Sequence, residues 1–168
     1  MGEVKAALAR ILAREATLLA GHDPEWTSPC EVGEPDGDAR IRWRPVEITP
    51  PPDFLDVEAE AGVILHPDVK EFYGSYFGRC DEQHFRGMTA LLKVSWNPEE
   101  LAILKRQIVE HLRICPTIPA PFTVFFASTD GDPFFSVDNA SGEVLLEEPG
   151  RPDAKVVAPS LAAFLAEV

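Results

Sequence analysis

The residues best suited to chemistry are scattered singly along this chain and do not gather into a known motif. His111 and Cys115 stand four apart, a spacing that puts both on one helical face and could supply two ligands to a metal. A closed zinc site needs four ligands. The other candidates (Cys30, Cys80, His22, His66 and His84) are distant and lack paired spacing, so the expectation is a surface histidine near a helix C-terminus and a buried thiol. Asp130-Gly131-Asp132 resembles a fragment of a calcium loop but lacks the alternating ligands and the closing bidentate glutamate, so a turn with an Asx bond is expected. Gly74-Ser75-Tyr76-Phe77-Gly78 has its glycines misplaced for a nucleophile elbow. No GxSxG, HExxH, Walker A or GxGxxG stretch occurs. Carboxylates are plentiful, but no pair is singled out for acid–base work. The expectation is a binding protein that is not an enzyme, with no metal and no cofactor.

Charge is the more informative property. Fifteen lysines and arginines face 28 aspartates and glutamates, a net charge of −13. Such a surface repels nucleic-acid phosphates and anionic lipid head groups. A basic protein segment is its natural complement. Two windows are one-sided. Asp53, Asp56, Glu58, Glu60, Asp68 and Glu71 occur against Lys70 alone; Asp130, Asp132, Asp138, Glu143, Glu147, Glu148 and Asp153 occur against Arg151 alone. Folded onto one concave face, they would concentrate a negative field. On separate solvated faces they would merely keep the protein soluble, and by charge alone that second reading is the stronger.

Cys30, Cys80 and Cys115 are few, odd in number and without a CxxC pair, which fits free thiols in a reducing compartment. Gly2 to Ala20 is broken by Glu3, Lys5, Arg10, Arg14 and Glu15, so no signal peptide is read there. No apolar run approaches the length of a transmembrane helix. A cytoplasmic location is expected, with any membrane association made through a partner.

The elements that must position these residues follow from periodicity. Val4, Leu8, Ile11, Leu12, Leu18 and Leu19 predict an amphipathic helix ending near Gly21. His22 to Ala39 reads as a long loop, followed by a strand with Ile41 and Trp43 buried between Arg40, Arg42 and Arg44. Pro50-Pro51-Pro52 is an extended connector. Asp53 to Ala61 is helical and ends at Gly62; Pro67 opens a second helix carrying Val69, Phe72, Tyr73, Tyr76 and Phe77 as far as Gly78. Two strands fill Phe85 to Trp96, split at Arg86-Gly87. Asn97-Pro98-Glu99-Glu100 is a well-formed start for a helix reaching about Ile114. A central strand over Phe122 to Ala127, a hairpin turning at Asn139-Ala140-Ser141-Gly142, and a helix from Ser160 to Glu167 complete the chain. Strands in consecutive groups argue for an α+β fold, a mostly antiparallel sheet flanked by helices.

A set of residues in fixed order carries a resemblance. It comprises Ser28-Pro29-Cys30, Trp43 with Pro45, Val57-Glu58, Ile64, Pro67, Phe72-Tyr73, Phe77, Phe85, Leu92 and Trp96. It continues with Ser136-Val137, Asn139, Ser141-Gly142-Glu143-Val144, and Ser160-Leu161 with Phe164-Leu165. From about Ser28 onward the chain resembles the bacterial Syd family, the SecY-interacting proteins. Through Pro67 ahead of an aromatic helix and the Ser-Gly-Glu-Val turn it also resembles the wider SUKH superfamily, which includes many toxin-immunity proteins. The resemblance implies a single Syd-like domain over 1–168 with a concave electronegative groove, and residues 1–21 are read as a helix packed on it. It implies a monomer held peripherally on the cytoplasmic side of the inner membrane by SecY, the channel subunit of the Sec translocon, as a regulator or check of SecY assembly. Glu58 and Glu143 carry over from matching positions, whereas Asp53, Asp56, Glu60, Asp68 and Glu71 are assigned to the groove from local charge. The N-terminal helix matches only in character. The alternative is an immunity protein that neutralises a toxin nuclease, whose basic site an acidic inhibitor would also suit.

Overall fold

The computed structural model describes residues 2–114, 122–151 and 153–168. The first helix, α1 (Glu3–Glu15), buries Val4, Ala7, Leu8, Ile11 and Leu12, the stripe expected of a surface helix. It stops before Leu18 and Leu19, which are exposed and lie off that stripe, contrary to the periodicity reading. The Thr17 hydroxyl donates to the Arg14 carbonyl at 2.8 Å, and the chain then leaves the helix so that β1 (Ala20–Gly21) can pair with β3 (Arg40–Trp43). The expected long loop holds one more short strand, β2 (Glu31–Val32), on the other edge of β3. As the alternation predicts, β3 turns Ile41 and Trp43 inward and Arg40 and Arg42 outward.

β4 (Val46–Glu47) leads to α2 (Leu55–Ala61), which ends at Gly62 with φ 71°. That left-handed conformation suits a residue without a Cβ. In α3 (Pro67–Ser75), Pro67 takes the first turn as predicted, but the helix ends at Ser75 and not at Gly78. Tyr76 adopts an extended backbone and opens β5 (Tyr76–Phe77), which pairs with β4 through Val46–Phe77 and Glu47–Tyr76. Strand pairing outweighs helical periodicity at these two residues.

The main sheet has six strands: β6 (Glu82–Phe85), β7 (Met88–Leu92), β8 (Thr123–Ser128), β9 (Phe134–Asp138), β10 (Val144–Glu147) and β11 (Lys155–Ala158). Their order is β11-β10-β9-β8-β7-β6 and every pairing is antiparallel. β6 and β7 are joined at Arg86 and Gly87, both at positive φ (49° and 83°), the hairpin geometry that matches strand twist. β7 ends at Leu92, short of the expected Trp96, and β11 was not foreseen because Pro-Gly-Arg-Pro-Asp and Lys155 mask a four-residue edge strand. Two helices complete the fold: α4 (Pro98–Ile114), which joins β7 to the stretch before β8 and packs on α2, and α5 (Leu161–Ala166), capped by Ser160.

One hydrophobic cluster takes residues from α1 through α5. Phe164 of α5 lies at its centre, stacked on Phe85 at 4.1 Å and meeting Phe135 at 4.9 Å and Phe126 at 5.1 Å. All four rings are buried, and each contributes roughly 1.5–3 kcal/mol. Trp43 and Trp96 meet edge to face at 5.6 Å and tie the small β1-β3-β2 sheet to the chain entering α4. The architecture is α+β, a mostly antiparallel sheet flanked by helices.

Candidate functional site

α2 buries Phe54 and Val57, so Asp56 and Glu60 are left on its outer side, above α4. Between the two helices runs a groove of about 520 Å³. Its floor is apolar, from Val57, Ala102, Ile103 and Val109; its walls carry Asp56, Glu60 and Glu99 against Lys105 and Arg106; Trp26 stands at its edge. Lys105 is held firmly. Its ammonium pairs with Asp56 at 2.7 Å, donates to the Asp53 carbonyl at 3.2 Å and sits 5.4 Å above the Phe54 ring. The Lys105 hydrogen bond holds the Asp56 carboxyl below the usual carboxylate range.

Trp26 also borders a second groove, of about 410 Å³, floored by Leu92, Val94, Trp96 and Leu104. Its loop is fixed to the start of α4. The Asn97 side chain donates to the Thr27 carbonyl at 3.0 Å and accepts from the Glu100 N–H at 2.8 Å, while Glu100 accepts from the Trp96 N–H at 2.6 Å. This is a reciprocal cap of the helix N-terminus. It ties up Glu100 and leaves Glu99 for the groove wall. The sequence reading missed both Glu99 and Trp26. Glu99 was absorbed into the helix-start signal, and the only clue to Trp26 is an indole placed within a Pro-, Gly- and acid-rich loop.

The seven sequence-assigned acids fall in several places. Asp56 and Glu60 share the α2–α4 groove, and Asp53 adjoins it through Lys105. Glu58 turns the other way, pairs with Lys70 at 2.5 Å and accepts from the Leu65 N–H at 2.9 Å; the lysine first and the amide second hold its carboxyl below the usual range. Asp68 is half-buried in the first turn of α3, where His66 Nδ1 accepts from its N–H at 3.2 Å. The Glu71 carboxylate lies against Gly2 at the start of α1, where a Cβ would overlap it. Glu143 follows Gly142 in the β9–β10 hairpin and accepts from the Ser141 hydroxyl at 3.3 Å. That hairpin docks on the link between α2 and α3. Asn139 accepts from the His66 N–H and donates to the Ile64 carbonyl, both at 2.8 Å, and the bare Cα of Gly142 leaves room for the His66 ring. The second acidic window makes its own hollow of about 170 Å³, with Glu147, Glu148 and Asp153 beside Lys155.

The other titratable groups have structural settings. Burial raises the Cys30 thiol and, together with Glu15 and Asp81, pushes the Cys80 thiol up to about 12, which keeps both protonated. His22 meets Glu31 at 3.2 Å, and exposed His84 lies 3.7 Å from Glu82. His111 is half-buried, with Nε2 3.4 Å from the Thr123 hydroxyl, and desolvation lowers its pKa. The Cys115 half of the spaced His111–Cys115 pair lies outside the described residues. Among the described residues, no group of three or more His, Cys, Asp or Glu is placed to hold a metal ion. No helix there is long and apolar enough to cross a membrane.

Comparison with known proteins supplies the remaining evidence. The model of the family described as Syd protein (SUKH-2) matches residues 8–168. A Pseudoalteromonas atlantica protein named Syd is 36% identical over 151 residues, covering 88% of this chain and 81% of its own. The Syd protein of Aeromonas hydrophila is 32% identical over 154 residues, covering 91% and 84%. That of Colwellia psychrerythraea is 33% identical over 158 residues, covering 88% and 78%.

Proposed function

The chain belongs to the Syd family, and from that premise we propose that it acts by binding the basic cytoplasmic loops of SecY, with the α2–α4 groove and Trp26 as the docking surface. The observation that carries this reading is the pairing of an apolar floor with the Asp56, Glu60 and Glu99 walls under an exposed indole. Cytoplasmic loops of membrane proteins are rich in lysine and arginine. A partner cation beside Glu99 gains a carboxylate on the groove wall, and an adjoining apolar side chain covers Ile103 and Trp26. The overall charge of −13 speeds the encounter with a basic loop. On this reading the protein sits peripherally on the cytoplasmic side of the inner membrane, held there by SecY, and reports on or restrains SecY assembly. It is a binding protein and performs no catalysis.

Lys105 and Lys70 limit how many acids take part. Asp56 and Glu58 already have internal partners, so their contribution to docking is smaller than that of Glu99. The test is titration of SecY cytoplasmic-loop peptides against the protein across a range of salt. Binding is expected to weaken steeply with salt because exposed charges are screened. Trp26→Ala should lower affinity by about thirtyfold, as a buried aromatic anchor does. Glu99→Gln and Glu60→Gln should each lower it by up to about fivefold. Binding that ignores both salt and these substitutions would remove the groove from the interface.

A further inference from the structure

We propose that the outer face of β3 is a direct contact site for an anionic lipid bilayer, separate from the α2–α4 groove and independent of SecY docking. In a chain with 28 acids to 15 bases, Arg40 and Arg42 project from this strand with no carboxylate in ion-pair range among the described residues. Arg40 donates to the Leu19 carbonyl at 2.5 Å, which fixes the Leu18–Leu19 turn beside the strand. Arg42 lies opposite Val32 in the β2–β3 register. Leu19, Val32, Arg40 and Arg42 together line a cleft of about 520 Å³. Leu18, Leu19 and Val32 are 58%, 42% and 43% exposed, among the largest apolar exposures in the protein.

Two guanidinium groups beside the exposed Leu19 and Val32 side chains, with exposed Leu18 next along the chain, suit a surface that offers phosphates and an apolar layer together. An acidic polypeptide would engage the arginines but leave the leucines in water. Glu34 and Asp36 share the cleft. Asp36 is turned toward the backbone, where its Oδ1 accepts from the Asp38 and Arg40 N–H groups at 3.0 and 2.9 Å. The rest of this strongly negative protein is repelled by an anionic membrane, so the β3 face also sets the orientation in which the chain can approach one. The affinity is modest, with each arginine contributing about fivefold.

Co-sedimentation with protein-free vesicles tests this without SecY. More protein is expected on phosphatidylglycerol–phosphatidylcholine vesicles than on pure phosphatidylcholine, with the difference shrinking as salt rises. Arg42→Gln, whose side chain makes no hydrogen bond among the described residues, should lose roughly fivefold. Arg40→Gln with Arg42→Gln should lose more, and Leu18→Ser with Leu19→Ser should weaken the same binding. Equal recovery on both vesicle types would overturn the proposal. So would an anionic preference that survives the double arginine substitution, or capture of polyglutamate in place of vesicles.

Discussion

Around α5, Phe164 is enclosed by Phe85, Phe126 and Phe135, and none of these rings reaches solvent appreciably. Around α2 and α4 the contacts are of another kind. Asp56 pairs with Lys105, Glu58 pairs with Lys70, and Trp26 is 38% exposed between two grooves. The first region draws its stability from apolar area removed from water, a large contribution that involves no titrating group and no ion pair for salt to screen. The second is built from partly exposed ion pairs, each contributing less than about 1 kcal/mol, and from an indole that lacks a full set of neighbours. A partner can rearrange such contacts at little cost, whereas nothing can be moved around Phe164 without opening a cavity.

The contrast breaks most readily at the core. Phe164→Ala should lower unfolding stability by about 3–5 kcal/mol, read as a fall in the urea midpoint, while the protein that remains folded binds partner peptides as before. A loss under 1 kcal/mol would mean that the rings around α5 relax into the space and that the two regions are less different than their burial suggests. The next largest effect is expected at Asn97, which caps α4 and also holds the Trp26 loop through the Thr27 carbonyl. Asn97→Ala should cost about 1–2 kcal/mol. Unlike Phe164→Ala, it should also weaken peptide binding, because Trp26 loses its fixed position. Unchanged binding in Asn97→Ala, measured by titration calorimetry, would detach Trp26 from the docking surface.

This division also explains what the sequence disclosed. The helix starts at Pro67 and Asn97, the Arg86-Gly87 hairpin, the inward pair Ile41 and Trp43, and the final helix were all legible because each depends on local chemistry: a cap, a fixed φ, a positive φ or a period. Leu18–Leu19 and Tyr76–Phe77 were misread as helical because a distant strand, β3 or β4, claims the neighbouring backbone, and pattern alone carries no record of that claim. The acids show the same limit. Their excess was visible, but Glu58 and Asp56 meet lysines twelve and 49 positions away, Lys70 and Lys105, and only the fold brings these together. Glu99 and Trp26, which are apart in the sequence, meet in the groove for the same reason.

The smallest effect bears most directly on the ion-paired side. The Glu58 carboxyl is held below the usual range by Lys70 and, second, by the Leu65 N–H. A carboxyl whose folded-state pKa is depressed contributes stability that is fully present above its unfolded value, near 4.3. That contribution disappears as pH falls through the lower folded-state value. The wild-type urea midpoint should therefore drop between about pH 5 and pH 3 by more than that of Glu58→Gln, the difference amounting to less than about 1 kcal/mol for a pair at the protein surface. Lys70→Met should show the same flattened dependence, and the double substitution should add nothing further, since both remove one interaction. Additive losses would mean that Glu58 acts chiefly as the acceptor for Leu65. In that case it contributes to the α2–α3 link by geometry, and its charge stays available to a partner.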